Sequence, residues 1–248
     1  MFKLREKLSS YLKAIRYYQI MLQKQISKYR LRKKFANYMM EERLNTALSD
    51  ILELMQSRIL SQSTYFGIKA LKSPVDFWVY QEIIFAQKPE IIVEIGTYCG
   101  GGTLALAHLL DNLGHGRIIS IDINHDLASE TVRRHPRVTL ITGDACQVYA
   151  SVKHSIGQYK NVLVIEDSAH SYDATLSILR TYSELIPKGG YFIVEDSIAH
   201  HGLNSGPKPG PYEAVVQFLV ENSHFVSDRN RESFPITWNP KGYLLRVS

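Results

Sequence analysis

V-L-V-I-E-D-S-A-H (Val162–His170) and Y-F-I-V-E-D (Tyr191–Asp196) are the two stretches that decide the fold. Each is a short apolar run that ends abruptly in carboxylates. That is the pattern of a buried parallel strand delivering charge to its C-terminal edge, where open α/β sheets bind their ligands. Asp167, Glu195 and Asp196 brought together at such an edge would repel one another unless a cation sat between them. An all-oxygen donor set selects a hard ion, Mg²⁺ or alternatively Mn²⁺. A single acid of this kind serves equally well as the cap of a following helix. Two such clusters together favour the metal.

Outward from these stretches, strand-like runs alternate with helical ones. The runs Ile91–Ile95, Arg117–Ile121, Arg137–Ile141, Asn161–Ile165 and Tyr191–Val194 are separated by helical patterns over Thr103–Leu110, Asp126–Arg134, Cys146–Ile156 and Tyr172–Leu185. Ser73-Pro74 opens an earlier helix that Lys88-Pro89 ends. This alternation predicts a doubly wound, Rossmann-like α/β sheet. A Gly/Pro-rich loop over His200–Pro211 precedes a helix at Tyr212–Val220. Two late strands, Phe225–Val226 and Tyr243–Val247, suit an antiparallel pair at the sheet edge. The domain division predicted is 1–62, helical, and 63–248, catalytic.

After the first strand comes E-I-G-T-Y-C-G-G-G-T (Glu94–Thr103). It is neither G-x-G-x-x-G nor a lysine-bearing phosphate loop. An acid two residues before the first glycine suits a cationic ligand, an α-amino group or a sulfonium. The second strand ends in Asp122, where an acid meets ribose hydroxyls, and the third leads to Asp144, placed to accept from an adenine amino group. Each acid alone is an ordinary turn residue. The ordered series Glu94, Asp122, Asp144 describes a class I S-adenosylmethionine methyltransferase, with Gly96, Thr97, Gly100, Gly101 and Asp167 completing the expected donor site. Trp78, Tyr80 and Gln81 are further candidates for its wall, with packing the ordinary role of Trp78.

From about Tyr65 to Arg246 the chain resembles the cephalosporin hydroxylase/rhamnosyl O-methyltransferase family. The resemblance rests on G-I-K-A-L-K-S-P-V-D-F-W-V-Y-Q-E (Gly67–Glu82), E-I-G-T-Y-C-G-G (Glu94–Gly101), S-I-D-I (Ser120–Ile123) and H-P-R-V (His135–Val138). It continues through I-E-D-S-A-H-S (Ile165–Ser171), G-G-Y-F-I-V-E-D-S (Gly189–Ser197), G-P-Y-E-A-V (Gly210–Val215) and N-P-K-G-Y-L-L-R (Asn239–Arg246). It implies a seven-stranded sheet with a reversed last strand and a Mg²⁺ site on Asp167, Glu195 and Asp196. His170 is implied as the general base. Ala169 stands where the family usually carries an acid. An iron oxygenase would want H-x-D or H-x-E, and neither occurs.

The charge is unevenly spread. Residues 1–34 hold eleven basic side chains and one acid, so they carry +10 of a net +5, and the remainder is mildly acidic. Nucleic-acid binding by the main domain is therefore not expected. Leu4, Leu8, Tyr11, Ile15, Tyr18, Leu22, Ile26 and Tyr29 make residues 3–30 an amphipathic helix. Helix packing (a homo-oligomer or the domain itself), an anionic membrane surface and a solvated face compete as its destination, the first favoured. A second helix is expected at about 41–60, with Leu44, Leu48, Leu52 and Met55 on one face. No run of eighteen apolar residues and no secretory signal is present, and two cysteines make no framework, so the expected compartment is the reducing cytoplasm, with or without peripheral membrane contact.

The expected reaction moves a methyl group from S-adenosylmethionine to a hydroxyl, with Mg²⁺ lowering the pKa of the acceptor and His170 taking its proton. The expected acceptor is a small molecule or glycan, a sugar of a glycolipid, polysaccharide or natural product. His200 and His201 are secondary candidate bases. The competing reading is a non-catalytic S-adenosylmethionine-binding accessory protein, and the four retained residues Asp167, His170, Glu195 and Asp196 argue against it.

Overall fold

The computed structural model describes residues 38–248; the basic amphipathic segment lies outside the described residues. The chain divides between Arg58 and Ile59, inside helix α1 (Leu48–Gln62). That helix starts later than the leucine spacing predicts: a 3₁₀ turn occupies Met40–Glu42, and Leu44 lies before the helix, 76% exposed. Among the described residues no helix is long and apolar enough to cross a membrane.

Beyond α1, a short hairpin (Thr64–Tyr65 with Ile68–Lys69) leads to α2 (Pro74–Gln87). Ser73 caps α2, accepting from the Asp76 N–H, and proline fills the first helical position. There follow β1 (Ile91–Ile95), α3 (Gly101–Leu113), β2 (Arg117–Asp122), α4 (Glu130–Arg133), β3 (Val138–Thr142) and α5 (Tyr149–Ile156). The second half runs β4 (Val162–Glu166), α6 (Tyr172–Tyr182), β5 (Tyr191–Val194), α7 (Pro211–Glu221), β6 (Phe225–Ser227) and β7 (Tyr243–Arg246). The seven strands lie in the order β3-β2-β1-β4-β5-β7-β6. β1 to β5 are parallel and β7 runs against both of its neighbours. The reversed last strand is thus present, inserted beside β5, with β6 outside it.

Strand alternation sorts the core into two layers. Ile91, Val93, Val164, Phe192 and Val194 pack with α5, α6 and α7 on one face. Ile92, Leu163, Ile165 and Ile193 pack with α2 and α3 on the other. The order reverses between β1 and β4, which opens the ligand crevice of such sheets at their C-terminal ends. The backbone is tightest there. The Asp167 N–H donates to the Ile95 carbonyl at 2.8 Å, and a Cβ on Gly96 would stand 2.0 Å from the Asp167 carbonyl oxygen. Gly96 also has φ +107°. Glycine is therefore demanded at this position by strand packing itself.

Gly96→Ala should destabilise the fold by about 3 kcal/mol or more, since strain and a backbone clash combine. Gly189→Ala has φ +83° but open space around it, so only the left-handed backbone is penalised, at about 1 kcal/mol. Chemical denaturation of the two variants tests this, and equal losses would refute the packing account.

Candidate active site

The same alternation that builds the layers gathers the site. Glu94 on β1, Asp167 just beyond β4 and Glu195 just beyond β5 share strand parity with Ile92, Ile165 and Ile193, so all three start from the α2/α3 face of the sheet. Lys72, immediately before the cap of α2, enters this acidic corner. Its ammonium donates to Asp167 Oδ2 at 2.6 Å and to Glu195 Oε1, with 11% of its side chain exposed. Burial works to lower the Lys72 pKa, but Asp167, Glu195 and Glu94 outweigh it and hold the amine charged. Burial, then Asp167, pushes Glu195 well above the usual carboxylate range. Lys72 has no counterpart in the sequence reading: a lone lysine before a helix looks like a surface residue, and three distant strands are needed to reveal its partners.

Asp196 and His170 take the opposite side of the cluster. Both have left-handed backbones, φ +56° and +51°, a conformation that costs about 1 kcal/mol or more for a non-glycine residue and concentrates at functional sites. His170 Nε2 lies 3.3 Å from Asp196 Oδ2 and 3.7 Å from Asp167 Oδ1, and its Nδ1 is buried with no hydrogen-bond partner. Ligand atoms of Asp167, His170 and Asp196 all fall within 4.8 Å of one another. Burial would lower the His170 pKa, but Asp196, Asp167 and Glu166 outweigh it and raise it. Burial, opposed by His170 and aided by Asp167, pushes the Asp196 carboxyl up to about 6.

The seat of Asp196 is built by the far end of the chain. Its N–H donates to Asn239 Oδ1 at 3.2 Å, and Asn239 Nδ2 donates to the Tyr80 hydroxyl at 2.8 Å. Asp76 on α2 accepts from Tyr243 Oη (2.9 Å), Thr237 Oγ1 (2.5 Å) and the Trp238 N–H (2.9 Å). A Cβ on Gly242 would lie 2.1 Å from the Val194 carbonyl, so the N-P-K-G turn presses directly on the end of β5. Tyr80 is thus a buried structural residue, whereas Trp78 is 59% exposed, contrary to the packing role expected of it.

At the glycine-rich turn, Asp122 Oδ2 accepts the N–H groups of Thr97 (3.0 Å) and Tyr98 (2.8 Å) and so shapes it. Glu94 is buried beneath the first turn of α3, its Oε2 accepting from Thr103 Oγ1 (2.5 Å) and Ser120 Oγ (2.6 Å). Thr97 Oγ1 bonds Ser120 Oγ (2.6 Å) and His125 Nε2 (3.1 Å). A Cβ on Gly101 would meet the Lys69 carbonyl at 2.5 Å, and Gly100 abuts Val132. Asp144 is exposed and accepts from the Gln147 N–H at 3.1 Å, in the turn that precedes α5. Beside Asp122, Ile123 stands 77% exposed. His201 is held by Glu213 (2.8 Å) and stacked on Tyr212, both in the first turn of α7, and His200 is held by the Gly206 carbonyl of its own loop.

The family described as Rhamnosyl O-methyltransferase/CmcI matches residues 57–247. The chain belongs to that family. Membership places it among the S-adenosylmethionine-dependent O-methyltransferases. A rhamnosyl O-methyltransferase of Mycobacterium tuberculosis (strain ATCC 25618 / H37Rv) is 31% identical over 197 residues, covering 76% of this chain and 80% of that protein. That of Mycobacterium leprae (strain TN) is 31% identical over 202 residues, 76% of this chain and 85% of its own length. Among solved structures, CmcI with Mg and SAM aligns with a TM-score of 0.62 at 24% identity, over 76% of this chain and 78% of that one. The structure of CmcI without ligand gives the same TM-score at 25% identity, over 76% and 77%. The fold is that of the class I methyltransferases.

A second group, His108, Asp111 and His135, also has metal-like spacing. Arg137 holds Asp111 at 2.6 Å and its N–H donates to His135 Nδ1, which leaves His135 Nε2 to donate its proton to Asp111. That is an ion-paired lock between α3 and the entry to β3.

A group whose folded pKa exceeds its unfolded value stabilises at low pH and loses that contribution as pH rises through the folded pKa. For Asp196 the window runs from about 4 to about 6. Metal-free wild type should therefore lose stability relative to Asp196→Asn as pH rises across it, asparagine being tolerated at the left-handed φ. Denaturation in EDTA at stepped pH checks this, and a pH-independent difference would refute it.

Proposed function

We propose that this protein is a divalent-metal-dependent O-methyltransferase that transfers the methyl group of S-adenosylmethionine to a sugar hydroxyl, rhamnose being the first acceptor to try. The convergence of Asp167, His170 and Asp196 beside Glu195, at the C-terminal ends of β4 and β5, is the observation that carries the reading. The donor set is carboxylate-rich, and buried carboxylates with raised pKa values fit a site whose charge a divalent cation would complete. Asp167, Glu195 and Asp196 would hold Mg²⁺, which supplies the Lewis acidity that lowers the pKa of an acceptor hydroxyl. His170 would accept that proton at its imidazole, which the neighbouring carboxylates make more basic.

The donor would lie along Gly96, Thr97, Gly100 and Gly101, with Asp122 and Asp144 at its nucleoside end, Glu94 beneath the turn and Asp167 closing the inner end. Asp122 spends Oδ2 on the turn. It would use the other oxygen for ribose. The curated relatives are named as rhamnosyl O-methyltransferases, and that name supports a sugar acceptor. The closeness of His170 Nε2 to both aspartates favours a second assignment, His170 as a metal ligand. The variant His170→Ala separates the two.

His170→Ala should keep donor and Mg²⁺ affinity and lose kcat by about a hundredfold or more if it is the base. Loss of metal binding instead would make it a ligand. Asp196→Ala should abolish metal-dependent turnover while sparing donor affinity. Calorimetry with S-adenosylmethionine and Mg²⁺, together with turnover on rhamnosylated acceptors, provides the readouts. Full activity of wild type in excess EDTA would end the metal-dependent reading.

A further inference from the structure

Lys72 is the feature that the proposed reaction leaves without a task. Its Nζ bridges Asp167 Oδ2 and Glu195 Oε1, two of the three carboxylates assigned to the metal, from a largely buried position. The position is built. The Lys72 side chain runs across the first turn of α3, where a Cβ on residue 102 would come within 2.7 Å of Lys72 Cε and 3.5 Å of Glu94 Oε1. Gly102 therefore leaves the channel through which the lysine reaches the carboxylates, and this accounts for the third glycine of the run Gly100–Gly102. Gly102 is helical and buried, with no left-handed backbone to explain it otherwise.

Two cations cannot both sit close to this one pair of oxygens. A divalent ion bonds carboxylate oxygen at about 2.1 Å, and an ammonium at about 2.8 Å. Held on the same two atoms they would be only a few ångströms apart, and in a poorly hydrated corner their repulsion is strong. Without any cation, the buried pair Asp167 and Glu195 would in turn be left uncompensated. Resting on the metal-dependent reading above, we infer that Lys72 is a tethered counter-cation that holds Asp167 Oδ2 and Glu195 Oε1 in the metal-free protein and must leave them when a divalent ion takes these two oxygens. Lys72 is then a positioning residue. It keeps the empty site folded, and it sets a ceiling on metal affinity because every binding event displaces it.

The test is Mn²⁺ binding to the full-length protein by calorimetry, with thermal melting in EDTA and in Mn²⁺. Lys72→Met should bind Mn²⁺ at least tenfold more tightly than wild type, melt lower in EDTA and gain more from the ion. Lys72→Arg, which keeps a cation on the carboxylates, should stay near the wild-type affinity. If Lys72→Met does not fold without metal, Gly102→Ala decides: its added methyl meets only the flexible lysine stem closely, so it should fold, dislodge the ammonium and tighten Mn²⁺ binding. Wild-type binding with no gain in the deciding variant overturns the role of Lys72 and leaves the metal site standing. An equal gain in Lys72→Arg and Lys72→Met overturns the charge argument. Absence of Mn²⁺ binding in wild type and all three variants overturns the metal site and this inference together.

Discussion

Burial of carboxylates at the ends of parallel strands is the constraint on which the rest of this structure depends. Ionised acids in a poorly hydrated corner are tolerated only with a cation or a set of hydrogen bonds. Each acid of this site has its own answer. Glu94 takes two hydroxyl bonds beneath α3, Glu166 is satisfied by Ser168 and Thr175, and Asp167 and Glu195 share the Lys72 ammonium. Asp196 faces His170. The distribution of these partners separates the acids satisfied by hydroxyl groups (Glu94, Glu166) from those that face an ammonium or an imidazole (Asp167, Glu195, Asp196).

The two residues closest to the proposed chemistry, His170 and Asp196, both hold left-handed backbones, as do Tyr98 in the glycine turn and Lys241 in the C-terminal turn. Such conformations persist where surrounding structure over-determines them. Here that structure is the C-terminal turn. Asn239 fixes the Asp196 N–H, Ser197 Oγ donates to the Pro240 carbonyl, and Gly242 lets the turn lie against β5. Asp76 ties the same turn to α2, the helix that Lys72 precedes. The reversed strand β7 is therefore part of the site's architecture: inserting it beside β5 carries the N-P-K-G-Y segment to the carboxylates.

The glycine-rich turn illustrates how one residue type serves several purposes. Gly96 yields to the Asp167 carbonyl, Gly101 to the hairpin carbonyls and Gly102 to the Lys72 stem. At each of the three, the room a Cβ would need is taken by the protein itself, while Tyr98 and Ile123 nearby stand exposed.

Sequence alone determined the sheet, because apolar runs of strand length alternating with helical periodicity leave few other solutions, and it placed Asp167, Glu195 and Asp196 at strand ends for the same local reason. The antiparallel ending was legible in the late strand pair, and His170 in its spacing from Asp167. The position of Leu44, the exposure of Trp78 and the burial of Tyr80 were not legible, because periodicity names a face without saying what covers it. Lys72, Asn239 and Asp76 lay beyond reach for a different reason. Their partners are roughly a hundred residues or more away for Lys72 and Asp76, and 43 for the Asn239–Asp196 bond, so only the packed sheet decides which charge meets which. Electrostatic pairing is a property of distance in space, and that distance exists only after the strands have assembled.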